Sequence, residues 1–95
     1  MDDIAYFVSE SSYSFAFLKS GNQYILDDTL EQIEQQLNPE MFFRINRKQL
    51  VTVKSIDGIK NHFNNRLSLT LTPTLKNESI VSRVKVKEFK KWLDC

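Results

Sequence analysis

Ninety-five residues are room for one domain rather than two, and 41% hydrophobic with 26% charged residues excludes the core-poor composition of a disordered chain. The longest apolar runs, such as Phe15–Leu18, fall far short of the roughly 20 residues a membrane-crossing helix needs, and Asp2 and Asp3 stand where a secretory signal would be basic. Net charge is only +1, but residues 1–43 carry one basic against eight acidic side chains while residues 44–95 carry twelve basic against four acidic, a split that suits polyanion binding through one face.

In chain order, Ile4–Val8 (IAYFV) is apolar and rich in strand formers. After the polar break Ser9–Ser12, the aromatics Tyr13, Phe15 and Phe17 recur at period two up to Lys19, which predicts two strands joined by a loop. Gly21 and Asn22 supply a turn into a third short strand, Gln23–Leu26. Leu26, Leu30, Ile33 and Leu37 then share one helical face; Asp28, three residues before Glu31, is placed to open a capping box, and Asn38–Pro39 ends the helix. Phe42–Ile45 and Leu50–Val53 are apolar anchors around the polar cluster Asn46, Arg47, Lys48 and Gln49. Ile56 and Ile59 suit a strand, Asn64 and Asn65 a turn, and Leu67, Leu69 and Leu71 alternate with Ser68, Thr70 and Thr72, so a hairpin is expected. Pro73 ends it, Lys76 and Asn77 turn the chain into Ser79–Val81, and Ser82 is placed to cap a terminal helix with Val86, Phe89 and Leu93, Trp92 alongside, as its apolar stripe. The expected class is mainly β (α+β), antiparallel, with one mid-chain helix and a short C-terminal helix in a single domain over residues 1–95.

Catalytic chemistry finds little support. No glycine-rich phosphate loop is present, and neither the lone His62 nor Cys95 sits in a nucleophile or metal signature. With no spanning stretch and no secretory signal a cytoplasmic location is expected, and Cys95, the only cysteine, excludes an internal disulfide and is compatible with a reducing compartment. Asp27 and Asp28 have a sufficient explanation as helix-cap residues. No enzyme activity, cofactor or metal is therefore expected. The Asn46–Gln49 cluster is more informative. Arginine can bond guanine O6 and N7 through two donors, asparagine and glutamine can do the same for adenine, and lysine neutralises phosphate. A plain polar loop explains the same residues. A second cluster, Ser82, Arg83, Lys85 and Lys87, enters the last helix, where free backbone N–H groups favour an anion.

At this point a family resemblance enters. FFRINRKQLVTVKSIDGI (Phe42–Ile59) is similar to the central signature of LytTR DNA-binding domains, the output domains of LytR/AgrA-like bacterial response regulators. IVSRVKVKEFKKWL (Ile80–Leu93) resembles the family's closing valine-serine-arginine motif and terminal helix, and IAYFVSESSYSFAFLKSG resembles its first hairpin. The resemblance implies an elongated, mostly β fold whose loops enter successive major grooves of double-stranded DNA. It places base contacts at Tyr13 and Ser14, at Asn46 and Arg47, and at Arg83. Phosphate contacts are expected from Lys48, Ser82, Lys85 and Lys87; Arg44, ranked below Arg47 and Arg83, stands between Phe43 and Ile45, where it serves either a phosphate or a structural pair. Thr52 stands where the family often has asparagine, and the first loop has serine and tyrosine where some members have histidine. A receiver domain ahead of this segment and pairing of two copies on repeated DNA sites are further implications. The runner-up is a β-rich interaction module whose basic half meets an acidic protein. Electrostatics adds one more expectation: the acidic helix should lie away from DNA, with the Ser11–Ser14 loop as the exception in the acidic half.

Overall fold

Two antiparallel sheets and two short helices make up the computed structural model, which describes residues 3–75 and 78–94; Cys95 and the turn expected at Lys76 and Asn77 lie outside them. In chain order come β1 (Ile4–Glu10), β2 (Tyr13–Leu18), β3 (Gln23–Leu26), α1 (Leu30–Gln36), β4 (Phe42–Asn46) and β5 (Gln49–Thr52). A 3-10 turn (Val53–Ser55) leads to β6 (Ile56–His62), β7 (Arg66–Leu71) and β8 (Ser79–Val81), and a second 3-10 turn (Arg83–Lys85) precedes α2 (Val86–Leu93). The first sheet runs β3-β2-β1-β5-β4 and the second β6-β7-β8. The described residues measure 33 × 25 × 25 Å along their principal axes, longest in one direction.

The expected strands all form, and β1 shows why its sequence does not alternate. Ala5, Tyr6, Phe7 and Val8 are all buried because both faces of the first sheet are covered, a setting in which a strand is apolar throughout. Phe7 packs on the α1 side with Ala16, Leu30, Ile33, Phe42 and Leu50. Ala5, Tyr6 and Val8 face the second sheet and α2, together with Ile45, Val51, Leu67, Leu69, Leu71, Val81 and Phe89. The leucines of β7 alternate as expected, inward-facing at 67, 69 and 71. Asn64 and Asn65 both take left-handed backbone, φ 63° and 60°, which asparagine tolerates better than most residues, and they turn β6 into β7.

Both helix starts depart from the sequence expectation. The N-cap of α1 is Thr29, not Asp28: the Gln32 amide donates to Thr29 Oγ1 at 3.2 Å and the Thr29 amide donates to Gln32 Oε1 at 2.9 Å. The segment DDTLEQ contains two overlapping capping boxes of identical spacing, and the second closes, with Leu30 against the sheet. Ser82 makes no side-chain cap. Its amide donates to Ile45 O at 2.9 Å, which holds the chain extended beside β4, so a 3-10 turn intervenes and Lys85 occupies the N-cap position of α2.

Tyr6 joins the core to the far loop. Its ring stacks on Phe17 with centroids 4.9 Å apart, and its hydroxyl donates to Pro73 O at 2.6 Å. Burial raises its pKa above the ordinary tyrosine value of about 10. The neutral phenol is thus favoured in the folded state. Its contribution is complete below the unfolded pKa and is lost as pH rises through the folded one. Tyr6→Phe is expected to lower stability by about 0.5–1.5 kcal/mol at neutral pH and to flatten the decline above roughly pH 10. Denaturant melts of both proteins across that range check it; parallel alkaline limbs would refute the assignment.

Candidate nucleic-acid interface

Three turns meet at one end of the first sheet, each delivered by a different part of the chain. The β1–β2 turn is a two-residue connection, Ser11–Ser12, with Ser11 at φ 56°. The β4–β5 turn carries Arg47 and Lys48, and the 3-10 turn Arg83–Lys85 follows β8. The Ser9 amide donates to Lys48 O at 2.7 Å, which ties the end of β1 to the second turn. Asn46 Nδ2 donates to Ile80 O at 2.8 Å, the Ser82 amide to Ile45 O at 2.9 Å, and Lys85 Nζ to Arg44 O at 3.0 Å, so the second and third turns are cross-linked.

An open groove of about 980 Å³ runs between these turns, lined by Arg44, Arg47, Lys48 and Lys85 and also by Glu10 and Glu78. A smaller depression of about 280 Å³ lies between the first turn and the start of α1. Arg47 and Arg44 border both, so the second turn lies between the depression at the first turn and the groove at the third.

The nominated side chains divide by what they already bond. Arg47, Arg83, Lys48 and Lys87 are exposed and form no salt bridge with another described residue. Tyr13 is 53% exposed at the mouth of the first turn, whereas Ser14 is 2% exposed, turned inward by strand alternation. Asn46 is part-buried and its amide is engaged: besides Ile80 O, Nδ2 lies 3.2 Å from Gln49 Oε1, and Oδ1 accepts from the Lys48 amide at 2.8 Å. Gln49 is itself buried, with Nε2 3.4 Å from Glu78 O.

Arg44 is engaged likewise. Its Nη1 lies 3.3 Å from Glu34 Oε1 on α1, its Nη2 donates to Arg47 O at 2.7 Å, and its buried Nε finds no acceptor among the described residues. A guanidinium held this way shapes the Arg47 turn from beneath. Lys85 is half-buried and bonded to Arg44 O, and the half-buried Ser82 takes part through its backbone. Thr52, at the position where the family often has asparagine, is buried and donates through Oγ1 to Ala5 O at 2.8 Å, a purely structural bond across the sheet.

The acidic half is not set apart as electrostatics alone suggested. Asp27, Asp28 and Glu31 line the same depression as Tyr13 and Arg47, and Glu34 pairs with Arg44. The cause is topological: β1 pairs with β5, and α1 covers the face to which Phe42 and Leu50 belong, so the two halves of the chain interleave. Sequence reasoning also missed Val84, which lines the large groove and is 79% exposed. The available signal was its place outside the Val86, Phe89, Leu93 stripe, between two cations.

A solved LytTr DNA-binding domain from Bacillus cereus, assigned to a methyl-accepting/DNA response regulator, superposes with a TM-score of 0.85 at 18% identity, over 99% of this chain and 84% of that one. The family model described as LytTr DNA-binding domain matches residues 1–94. With three turns gathered at one end and the match spanning nearly every residue, this chain belongs to the LytTR family of DNA-binding domains.

Proposed function

We propose that this domain binds double-stranded DNA sequence-specifically by inserting its turns into the major groove, as the output module of a bacterial transcription regulator. The observation that carries the reading is that exposed Arg47 lines both the depression bordered by Tyr13 and the groove bordered by Val84 and Lys85. Arg47 and Arg83 are the bidentate base readers and Tyr13 an uncharged donor at the third point. Lys48 and Lys87, exposed and compact in charge, neutralise phosphates. Asn46, Ser14, Lys85 and Arg44 serve the interface by holding these turns, since their side-chain polar groups are buried or already bonded within the protein, while Ser82 holds the third turn through its backbone and keeps its hydroxyl for a phosphate at the groove. A receiver domain ahead of this segment and pairing of two copies on repeated sites complete the reading.

Selection of duplexes from a random pool, followed by salt titration on the winner, tests it. A defined sequence is expected, with a log–log salt slope of about −0.9 per neutralised phosphate. Lys48→Ala and Lys87→Ala should each weaken all duplexes alike and reduce the slope by about 0.9. Failure to enrich any sequence, together with binding to an acidic protein, would favour the interaction-module alternative.

A further inference from the structure

Val84 has no structural occupation. At 79% exposure it is the most exposed large apolar side chain among the described residues, while Val8, Val51 and Val81 are buried. It lies outside the apolar stripe of α2, in a turn whose backbone is held on both sides. The Ser82 amide bonds Ile45 O, the Lys85 amide bonds Ser82 O at 2.9 Å, and Lys85 Nζ bonds Arg44 O. Valine itself is stiff at χ1, so little side-chain freedom remains to be lost on contact. Its immediate neighbours are cations, Arg83 and Lys85, and it faces the groove that Arg47 and Lys48 also line. Flanking charges of this kind favour a polyanion. In the major groove of duplex DNA the apolar atom that a polyanion presents is the 5-methyl group of thymine.

We propose that Val84 is a specificity residue that reads thymine through that methyl group, at a position beside the base contacted by Arg83. The inference rests on the DNA-binding reading and adds to it a base preference that hydrogen-bonding residues alone would not produce. It also accounts for a bare apolar side chain kept in water on an otherwise polar turn, where burial against a methyl recovers the cost of its exposure.

Deoxyuridine differs from thymidine only by that methyl, which makes the test atom-specific. Each thymine of a duplex selected from a random pool is replaced by deoxyuridine one at a time, and affinity is measured for the native protein, Val84→Ser and Val84→Ile. One replacement is expected to weaken native binding about four-fold, the size of one buried methyl-sized group. The same replacement should leave Val84→Ser unchanged and still penalise Val84→Ile. Because the side chain is exposed, melting temperatures of the three proteins should agree. If the parent selects a sequence but no replacement matters, or if the penalty persists in Val84→Ser, Val84 does not read thymine. If the parent selects no sequence, the DNA-binding reading fails and this inference falls with it, a result distinct from the previous two.

Discussion

Phe89→Ala is expected to lower the unfolding free energy by about 3–5 kcal/mol, the range for truncating a fully buried phenylalanine. Phe89 is 0% exposed and is the side chain through which α2 enters the main core, with ring centroids 5.5 Å from Phe43 and 5.8 Å from Trp92. Small domains unfold with only about 5–15 kcal/mol in total, so this loss is a large fraction of the whole. The effect reaches the interface, because the Arg83–Lys85 turn is continuous with α2 and shares its anchorage. Urea denaturation measures the loss directly. DNA affinity should fall as well, in proportion to the unfolded fraction, and should recover under conditions that restore folding. A cost under about 1 kcal/mol would mean that α2 is dispensable to the core.

The second large effect is on recognition. Arg47→Ala and Arg83→Ala should each remove about 1–3 kcal/mol of discrimination between the selected base pair and its alternatives. Their melting curves should match the parent's, since both side chains are exposed and unpaired within the described protein. Asn46→Ala is the informative contrast. Its loss would strip a partner from Ile80 O and from the Lys48 amide, so it should cost about 1–3 kcal/mol of stability before any effect on DNA is considered. Competition binding with single-base variants, run beside thermal melts, separates the two behaviours. Equal discrimination by the parent and both arginine variants would sink the assignment of base reading. A fully stable Asn46→Ala that has lost discrimination would return Asn46 to the list of direct contacts.

Much of this arrangement is legible in the residues themselves. Period-two leucines at 67, 69 and 71, the spacing of Leu30 and Ile33, and the asparagine pair at 64 and 65 each express a local rule, because side-chain direction and backbone preference depend on near neighbours. The clustering of cations after Phe43 and the two arginine-bearing segments are likewise properties of the chain. Local rules did not choose between the two capping boxes in DDTLEQ, which have identical spacing, nor did they reveal that Ser82 remains extended through its bond to Ile45 O. They also could not separate Asn46 from Arg47, or Ser14 from Tyr13. Adjacent polar residues point opposite ways in a strand or turn, and the carbonyl of Ile80, 34 residues away, helps to show that Asn46 is the one of the first pair engaged inside the protein. Charge was the least transferable signal: a chain acidic in its first half and basic in its second folds with β1 against β5 and α1 over that pair of strands, which brings Glu34 to Arg44 and Asp27 to the depression that Arg47 lines. Electrostatic segregation in space is a property of strand order, and strand order is set by long-range pairing that no window of sequence contains.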